Sequence, residues 1–116
     1  MKLNVQMSVR GSTLIMRLKG DLDQSSIDSL KRKSIDIIDK YYIKNIVFNL
    51  EQVQFMDSSG IGFIIGRFAQ IKHRRGRVII CSMNSLIERI FNLSGLKRIC
   101  SVVDNEEQAT RLLEVA

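Results

Sequence analysis

Along residues 3 to 9 apolar and polar side chains alternate one for one, Leu3, Val5, Met7 and Val9 against Asn4, Gln6 and Ser8, and the same period of two returns between residues 13 and 19. The pattern predicts two strands of a hairpin joined by a turn at Arg10-Gly11-Ser12. After Asp21-Leu22-Asp23 the period changes. Ile27, Leu30, Ser34, Ile37, Ile38 and Tyr41 recur at helical spacing behind Ser25 and Ser26, which are suited to cap, so a first helix is expected near 26–41. Asn45-Ile46-Val47-Phe48-Asn49-Leu50 is short, β-branched and nearly continuous in apolar character, as in a central strand covered on both faces. From the serine pair Ser58 and Ser59 onward, Ile61, Ile64, Ile65, Phe68 and Ile71 trace the apolar stripe of a second helix with a basic end. Residues 77 to 81 read as another buried strand. Ser85 and Glu88 have capping-box spacing ahead of Leu86, Ile87, Ile90 and Phe91, a third helix ending near Gly95. Residues 99 to 103 read as a last strand, and Asp104 with Glu107 repeats the capping spacing before Ala109, Leu112 and Leu113.

The resulting order, β-β-α-β-α-β-α-β-α, implies an α/β fold. It would have a mixed, mostly parallel sheet with an antiparallel edge from the N-terminal hairpin, about four helices packed on it and no internal repeat. A chain of 116 residues suits one domain, taken as 1–116. Ligand and partner sites of such sheets lie beyond the carboxyl ends of the strands. Asp57-Ser58-Ser59-Gly60 occupies that position, between the central strand and the second helix.

Composition narrows the function classes. Hydrophobic residues make up 45% and charged residues 26%, the balance of a globular soluble protein rather than a disordered one. The N-terminus lacks the basic segment and continuous apolar run of a secretory signal, and no run approaches the ~18 residues that cross a bilayer. A cytoplasmic protein with no membrane span is the expectation. Cys81 and Cys100 sit far apart in apolar strand-like runs, which favours buried free thiols over a disulfide, and with His73 they match no structural zinc spacing. No metal or cofactor is expected. The formal charge of +6, densest at Lys72, His73, Arg74, Arg75 and Arg77, invites a nucleic-acid reading. The cluster falls at a helix end, however, where cations complement the dipole and Gly76 makes a natural stop, and no aromatics are interleaved with it. It is read as a solvated helix end, without direct nucleic-acid binding.

Chemistry concentrates at Met56-Asp57-Ser58-Ser59-Gly60. Unpaired N–H groups and the positive dipole end of a helix accommodate a phosphate on either serine, and Gly60 leaves room for a partner's approach. Spacing alone fits plain capping by Asp57 or a serine equally well. A hydrolase using Ser58 lacks a base, because His73 lies about four helical turns away, and lacks the first glycine of a nucleophile elbow. There is no P-loop, although weak nucleotide binding at a helix start stays open. An aspartate-phosphorylated receiver would use Asp57, yet the first strands end in Lys19-Gly20 and not in an acidic pair for magnesium. The chain is therefore read as no enzyme.

Phe55-Met56-Asp57-Ser58-Ser59-Gly60-Ile61-Gly62, with Gly20-Asp21-Leu22-Asp23 upstream and Leu93-Ser94-Gly95-Leu96 downstream, resembles the STAS-domain anti-sigma-factor antagonists of spore-forming bacteria over the whole length. The resemblance implies that Ser58 accepts a phosphate from the anti-sigma factor, itself a serine kinase carrying ATP or ADP. It further implies that the unphosphorylated form binds that kinase and releases the sporulation sigma factor, sigma F, and that a PP2C-type phosphatase returns the phosphorylated form to the active, unphosphorylated one. Asp23, Asp57, Ser58, Ser59, Gly60 and Ile61 would form the docking face, with Leu22, Phe63 and Arg67 as further candidates. A general-stress antagonist of the same family is the competing implication.

Overall fold

The structure, a computed structural model, describes residues 2–114. In chain order the elements are β1 (Asn4–Arg10), β2 (Thr13–Leu22), α1 (Gln24–Lys40), β3 (Asn45–Met56), α2 (Ser58–Ile71), β4 (Val78–Cys81), α3 (Ser85–Ser94), β5 (Cys100–Val103) and α4 (Glu106–Glu114). One sheet runs β1-β2-β3-β4-β5, with β1 antiparallel to β2 and every other pair parallel. In the hairpin Arg10 faces Thr13, which leaves a two-residue loop whose first position, Gly11, has φ 58. That conformation matches the twist of the flanking strands and suits glycine.

Because the parallel strands follow one another across the sheet, right-handed crossovers put α1, α2 and α3 on the same face. Leu14, Met16, Ile46, Phe48 and Ile80 of the sheet meet Leu30, Ile38, Ile64, Ile71 and Phe91 of these helices in the main core. Phe48 and Phe63 pack edge to face at 5.9 Å. The other face carries a smaller layer in which Ile15, Val47, Ile79 and Cys81 lie under Ala109, Leu112 and Leu113 of α4. Val47 against Ile46 and Phe48 gives the central strand the two-sided cover expected of it. Arg17 fastens the start of α4 with a bidentate pair of 2.7 Å contacts to Glu106, and Asn49 Nδ2 donates to the same carboxylate at 2.6 Å. Both cysteines are free and buried, as expected, and burial pushes the Cys100 thiol up to about 12.

Several boundaries differ from the expectations, each for a local reason. Helix α1 is capped by Asp23, which accepts from the Ser25 and Ser26 amides while Ser26 Oγ accepts from the Asp23 amide. The two serines lie inside the first turn. Helix α3 is capped by Asn84, whose side chain accepts from the Ile87 amide at 2.9 Å, so Ser85 is its first helical residue. Ahead of α4, Asn105 accepts from the Gln108 amide at 2.9 Å, one position later than the Asp104 and Glu107 spacing implied. In the first of these two helices the cap stands one residue before the expected serine, and in the second one residue after the expected aspartate, because asparagine caps as strongly as either.

The larger difference is β3, which continues past Leu50 to Met56. It does so because β2 stays beside it to Leu22, through the pairs Lys19 with Gln52, Gly20 with Val53, Asp21 with Phe55 and Leu22 with Met56. Strand β4 stops at Cys81, opposite Asn49. The ends of β2 and β3 therefore project beyond the rest of the sheet. Asn84 ties this projection to α3, its Nδ2 donating to the Val53 carbonyl at 2.9 Å.

After Ile71 a 3-10 turn, Lys72–Arg74, extends α2, and the stop expected at Gly76 falls instead at Arg75, which is left-handed with φ 59. Gly76 serves close packing, since an added Cβ would sit 1.4 Å from the Lys44 carbonyl oxygen. Arg74 is no solvated cation. It donates to the Ile38 and Ile43 carbonyls at 3.2 and 2.8 Å, pairs with Asp39 at 3.3 Å and stacks on Tyr42 at 4.3 Å.

Candidate functional site

Leu22 and Met56 end their strands side by side, so the next residue on each, Asp23 and Asp57, opens a helix at the same edge of the sheet. The Asp57 amide donates to the Leu22 carbonyl at 3.2 Å and fixes the two starts together. Each aspartate is extended at the backbone and turns its carboxylate onto its own helix, Asp57 accepting from the Ser59 amide at 2.8 Å. Asp23 takes a 2.7 Å bond from the Ser25 hydroxyl. That bond, with the Ser25 and Ser26 amide donors, holds the Asp23 carboxyl below the ordinary aspartate range. The reading of Asp23 as a cap residue is thus realised, and the carboxylate stands at the surface of the same edge.

Ser58 is the first residue of α2 and is exposed, and its hydroxyl makes no hydrogen bond among the described residues. It adjoins the unpaired N–H groups of the first turn and the positive end of the helix dipole. Ser59 is half-buried and already engaged through its amide. Of the two hydroxyls, Ser58 has the freer approach.

Gly60 corrects an expectation. Its position is buried, and an added Cβ would lie 2.7 Å from the Leu22 carbonyl oxygen and 2.7 Å from Met56 Cγ. Instead of opening the surface to a partner, Gly60 lets the first turn of α2 sit down on the end of β2. Ile61 is half-buried and packs against the main core. Leu22, Phe63 and Arg67, at 0%, 3% and 5% exposure, face inward and offer nothing to a partner. Arg67 lies 5.1 Å over the Phe63 ring, and desolvation lowers its pKa.

What the sequence pattern did not separate is the exposed stripe of α2: Ser58, Gly62, Ile65 and Ala69 all face outward at helical spacing, with Ile65 45% exposed. Phe55, three residues before Ser58, is 46% exposed. Ile65 was indistinguishable from its buried neighbour Ile64 by composition; only helical phase tells them apart. The downstream stretch Leu93-Ser94-Gly95-Leu96 proves to be a helix stop. Ser94 Oγ donates to the Phe91 carbonyl at 2.6 Å and accepts from the Leu96 amide at 3.2 Å, and Gly95 is left-handed. His73 lies past the far end of α2, about 22 Å along the helix axis from Ser58. Among the described residues no cluster of three or more His, Cys, Asp or Glu side chains is arranged to hold a metal, and no helix is long and apolar enough to cross a membrane.

The sequence profile of the STAS domain matches residues 4–109. An anti-sigma F factor antagonist of Paenibacillus polymyxa is 36% identical over 115 residues, covering 99% of this chain and 98% of that protein. Among solved structures, the anti-sigma factor antagonist SpoIIAA in its unphosphorylated form superposes with a TM-score of 0.78 at 26% identity, over 96% of this chain and 98% of that one. The Bacillus cell fate determinant SpoIIAA in its phosphorylated form gives 0.74 at 29% identity, over 94% and 99%.

Proposed function

The chain belongs to the STAS domain family, and from that premise we propose that it is a phosphorylation-controlled anti-sigma F factor antagonist acting in the cytoplasm, with Ser58 as its acceptor. The unphosphorylated form binds an anti-sigma factor that is also a serine kinase and so frees sigma F. Phosphorylation of Ser58 by that kinase ends the association, and a PP2C-type phosphatase reverses it. Nucleotide and catalytic groups belong to the partner. The observation that carries this reading is the exposed, unbonded Ser58 hydroxyl at the first position of α2. Solved relatives named in both phosphorylated and unphosphorylated forms support it.

A phosphoserine adds about −1.5 to −2 charges at neutral pH. Here that charge would stand beside the Asp57 carboxylate and on the same edge as Asp23. The helix start tolerates it within the domain, whereas a partner surface that accepted a neutral hydroxyl meets both repulsion and a desolvation cost. Asp23, Asp57, Ser58 and Ser59, with part of Ile61, form the docking edge in this reading. The exposed stripe through Ile65 continues it.

Mixing the full chain with the anti-sigma kinase, ATP and magnesium, then mapping phosphate by peptide mass spectrometry, tests residue and partner together. Ser58→Ala is expected to stay bound with ATP present, and Ser58→Asp to bind poorly. Full phosphorylation of Ser58→Ala would sink the assignment.

A further inference from the structure

At the pole opposite Ser58, where α1 and α2 end, the fold joins two stretches that are some thirty residues apart in sequence, 38–45 and 72–77. Arg74 bonds the Ile38 and Ile43 carbonyls, the Arg77 amide donates to Asn45 Oδ1 at 2.9 Å, and Gly76 abuts the backbone of Lys44. Lys40, Lys44, Lys72, Arg75 and Arg77 line this pole, and none forms an ion pair among the described residues. Asp39, the acidic residue of these stretches, is taken up by Arg74. Dipole complementation accounts for cations in a last helical turn. Lys44 and Arg77 lie outside the helices, beyond the reach of that effect, and no ion pair offsets Lys44, Arg75 or Arg77 among the described residues.

Aromatics are what the linear cluster lacked, and the fold supplies them. Tyr41 and Tyr42, which follow α1 within the first of these stretches, are 50% and 65% exposed. Tyr42 has φ 48, which bends the backbone between the two rings. Lys40 Nζ stands 5.5 Å from the Tyr41 centroid, and Arg74 lies 4.3 Å over Tyr42. Adjacent exposed rings within a field of unpaired cations are the elements of a sequence-tolerant single-strand binder: phosphates track the charges while bases stack on the rings.

We propose that this pole binds single-stranded nucleic acid through Tyr41, Tyr42 and the cations Lys44, Lys72, Arg75 and Arg77. An anionic bilayer fits less well, because it is gripped by aliphatic or tryptophan anchors and the exposed Ile65, Leu86 and Leu93 all lie on other parts of the molecule. An acidic peptide would use the charge and leave idle the ring surface that Lys40 and Arg74 do not cover. The site lies a helix length, about 21 Å, from Ser58, so both can be occupied at once and binding is independent of phosphorylation.

The test is fluorescence anisotropy with the full chain and labelled oligothymidylate and oligouridylate of about 12 nucleotides, titrated between about 50 and 200 mM salt. Affinity is expected to fall linearly with salt on a logarithmic plot, and Lys44→Ala/Arg75→Ala/Arg77→Ala to flatten the slope by about 2. Tyr41→Ala is expected to weaken binding roughly tenfold at unchanged slope, with Tyr41→Phe restoring it. Tyr41 is chosen because Tyr42 also supports Arg74, and circular dichroism verifies that each variant is folded. No oligonucleotide binding at the lowest salt would overturn the proposal. So would equal competition by polyglutamate together with wild-type affinity of Tyr41→Ala, or binding to phosphatidylserine vesicles in place of the oligonucleotides.

Discussion

Replacing Gly60 with alanine probes how closely α2 is seated on β2. The new Cβ would stand 2.7 Å from the Leu22 carbonyl oxygen, 2.7 Å from Met56 Cγ and 2.9 Å from Leu22 Cβ. Met56 Cγ belongs to a flexible side chain and can shift. The Leu22 oxygen cannot readily do so, since it accepts from the Asp57 amide and ends a strand paired to β3 up to Met56. Overpacking of this kind costs about 1–3 kcal/mol, and the helix preference of alanine over glycine returns roughly 0.5–1 kcal/mol of it. A net loss of about 1–2 kcal/mol remains, equivalent to a fall in Tm of roughly 4–8 °C for a domain of this size. Gly62 is the internal control. It lies two residues on in the same helix, exposed and with nothing within 4 Å of where an alanine methyl would stand, so Gly62→Ala gains the preference without the clash and should raise Tm by roughly 2–4 °C. Thermal and urea unfolding followed by circular dichroism reads both. If Gly60→Ala melts at or above the wild-type temperature, or if both variants move the same way, the close seating of α2 on Leu22 is not what Gly60 provides.

Asn84→Ala removes both the α3 cap and the bond to Val53 and should cost about 2 kcal/mol, seen as a lower urea midpoint at unchanged m. Asn84→Asp, which retains an acceptor for the helix and loses the donor to Val53, should fall between the two. The hydrogen bond from Arg17 and then that from Asn49 hold the Glu106 carboxyl below its ordinary range. Its contribution is therefore fully present above the unfolded value of about 4.3 and lost as pH falls through the lower folded one, so Glu106→Gln should flatten the acid limb of stability measured by urea unfolding. Cys100, pushed up to about 12 by burial, stays protonated in the folded chain. Stability from it is present below the unfolded thiol value of about 8.5 and lost as pH rises towards the folded one. A maleimide or iodoacetamide reagent at mildly alkaline pH should accordingly modify the native cysteines no faster than the chain opens; rapid stoichiometric labelling would contradict their burial.

The hairpin, the four helices and the mixed sheet were legible because each rests on a local period: Leu3 to Val9 alternates, and Ile27 to Ile38 recurs at three and four. The starts of α3 and α4 were legible only to within a residue, since Asn84 and Asn105 cap as well as the Ser85 and Asp104 beside them, and that of α1 to within two, because Asp23 caps ahead of the two serines. The extension of β3 to Met56 left no local mark. Gln52, Gln54 and Phe55 are a strand only because β2 runs alongside, a pairing thirty-odd residues distant. The roles of Gly60 and Gly76 were hidden for the same reason, their close neighbours being Leu22 and Lys44. Arg67 stood among the docking candidates, yet its position falls on the buried stripe with Phe63, Ile64 and Ile71, where its guanidinium lies over the Phe63 ring.

Under the proposed function, those same packing constraints would let a modification at Ser58 act on a partner without disturbing the domain. Around the start of α2 the neighbouring groups are committed: the Asp57 carboxylate to the Ser59 amide, the Asp57 amide to Leu22, Gly60 to the end of β2. The Ser58 hydroxyl, by contrast, makes no hydrogen bond among the described residues and reaches solvent. A phosphate added there breaks no existing contact, and the helix start and the Asp57 carboxylate act on it with opposite signs, each by about 1 kcal/mol or less at a solvated surface. The domain thus gains or loses little, while a docked surface, which excludes the water that screens the charge, bears the full effect. In the proposed switch, asymmetry of this kind would let a single hydroxyl control association while the fold that presents it stays constant.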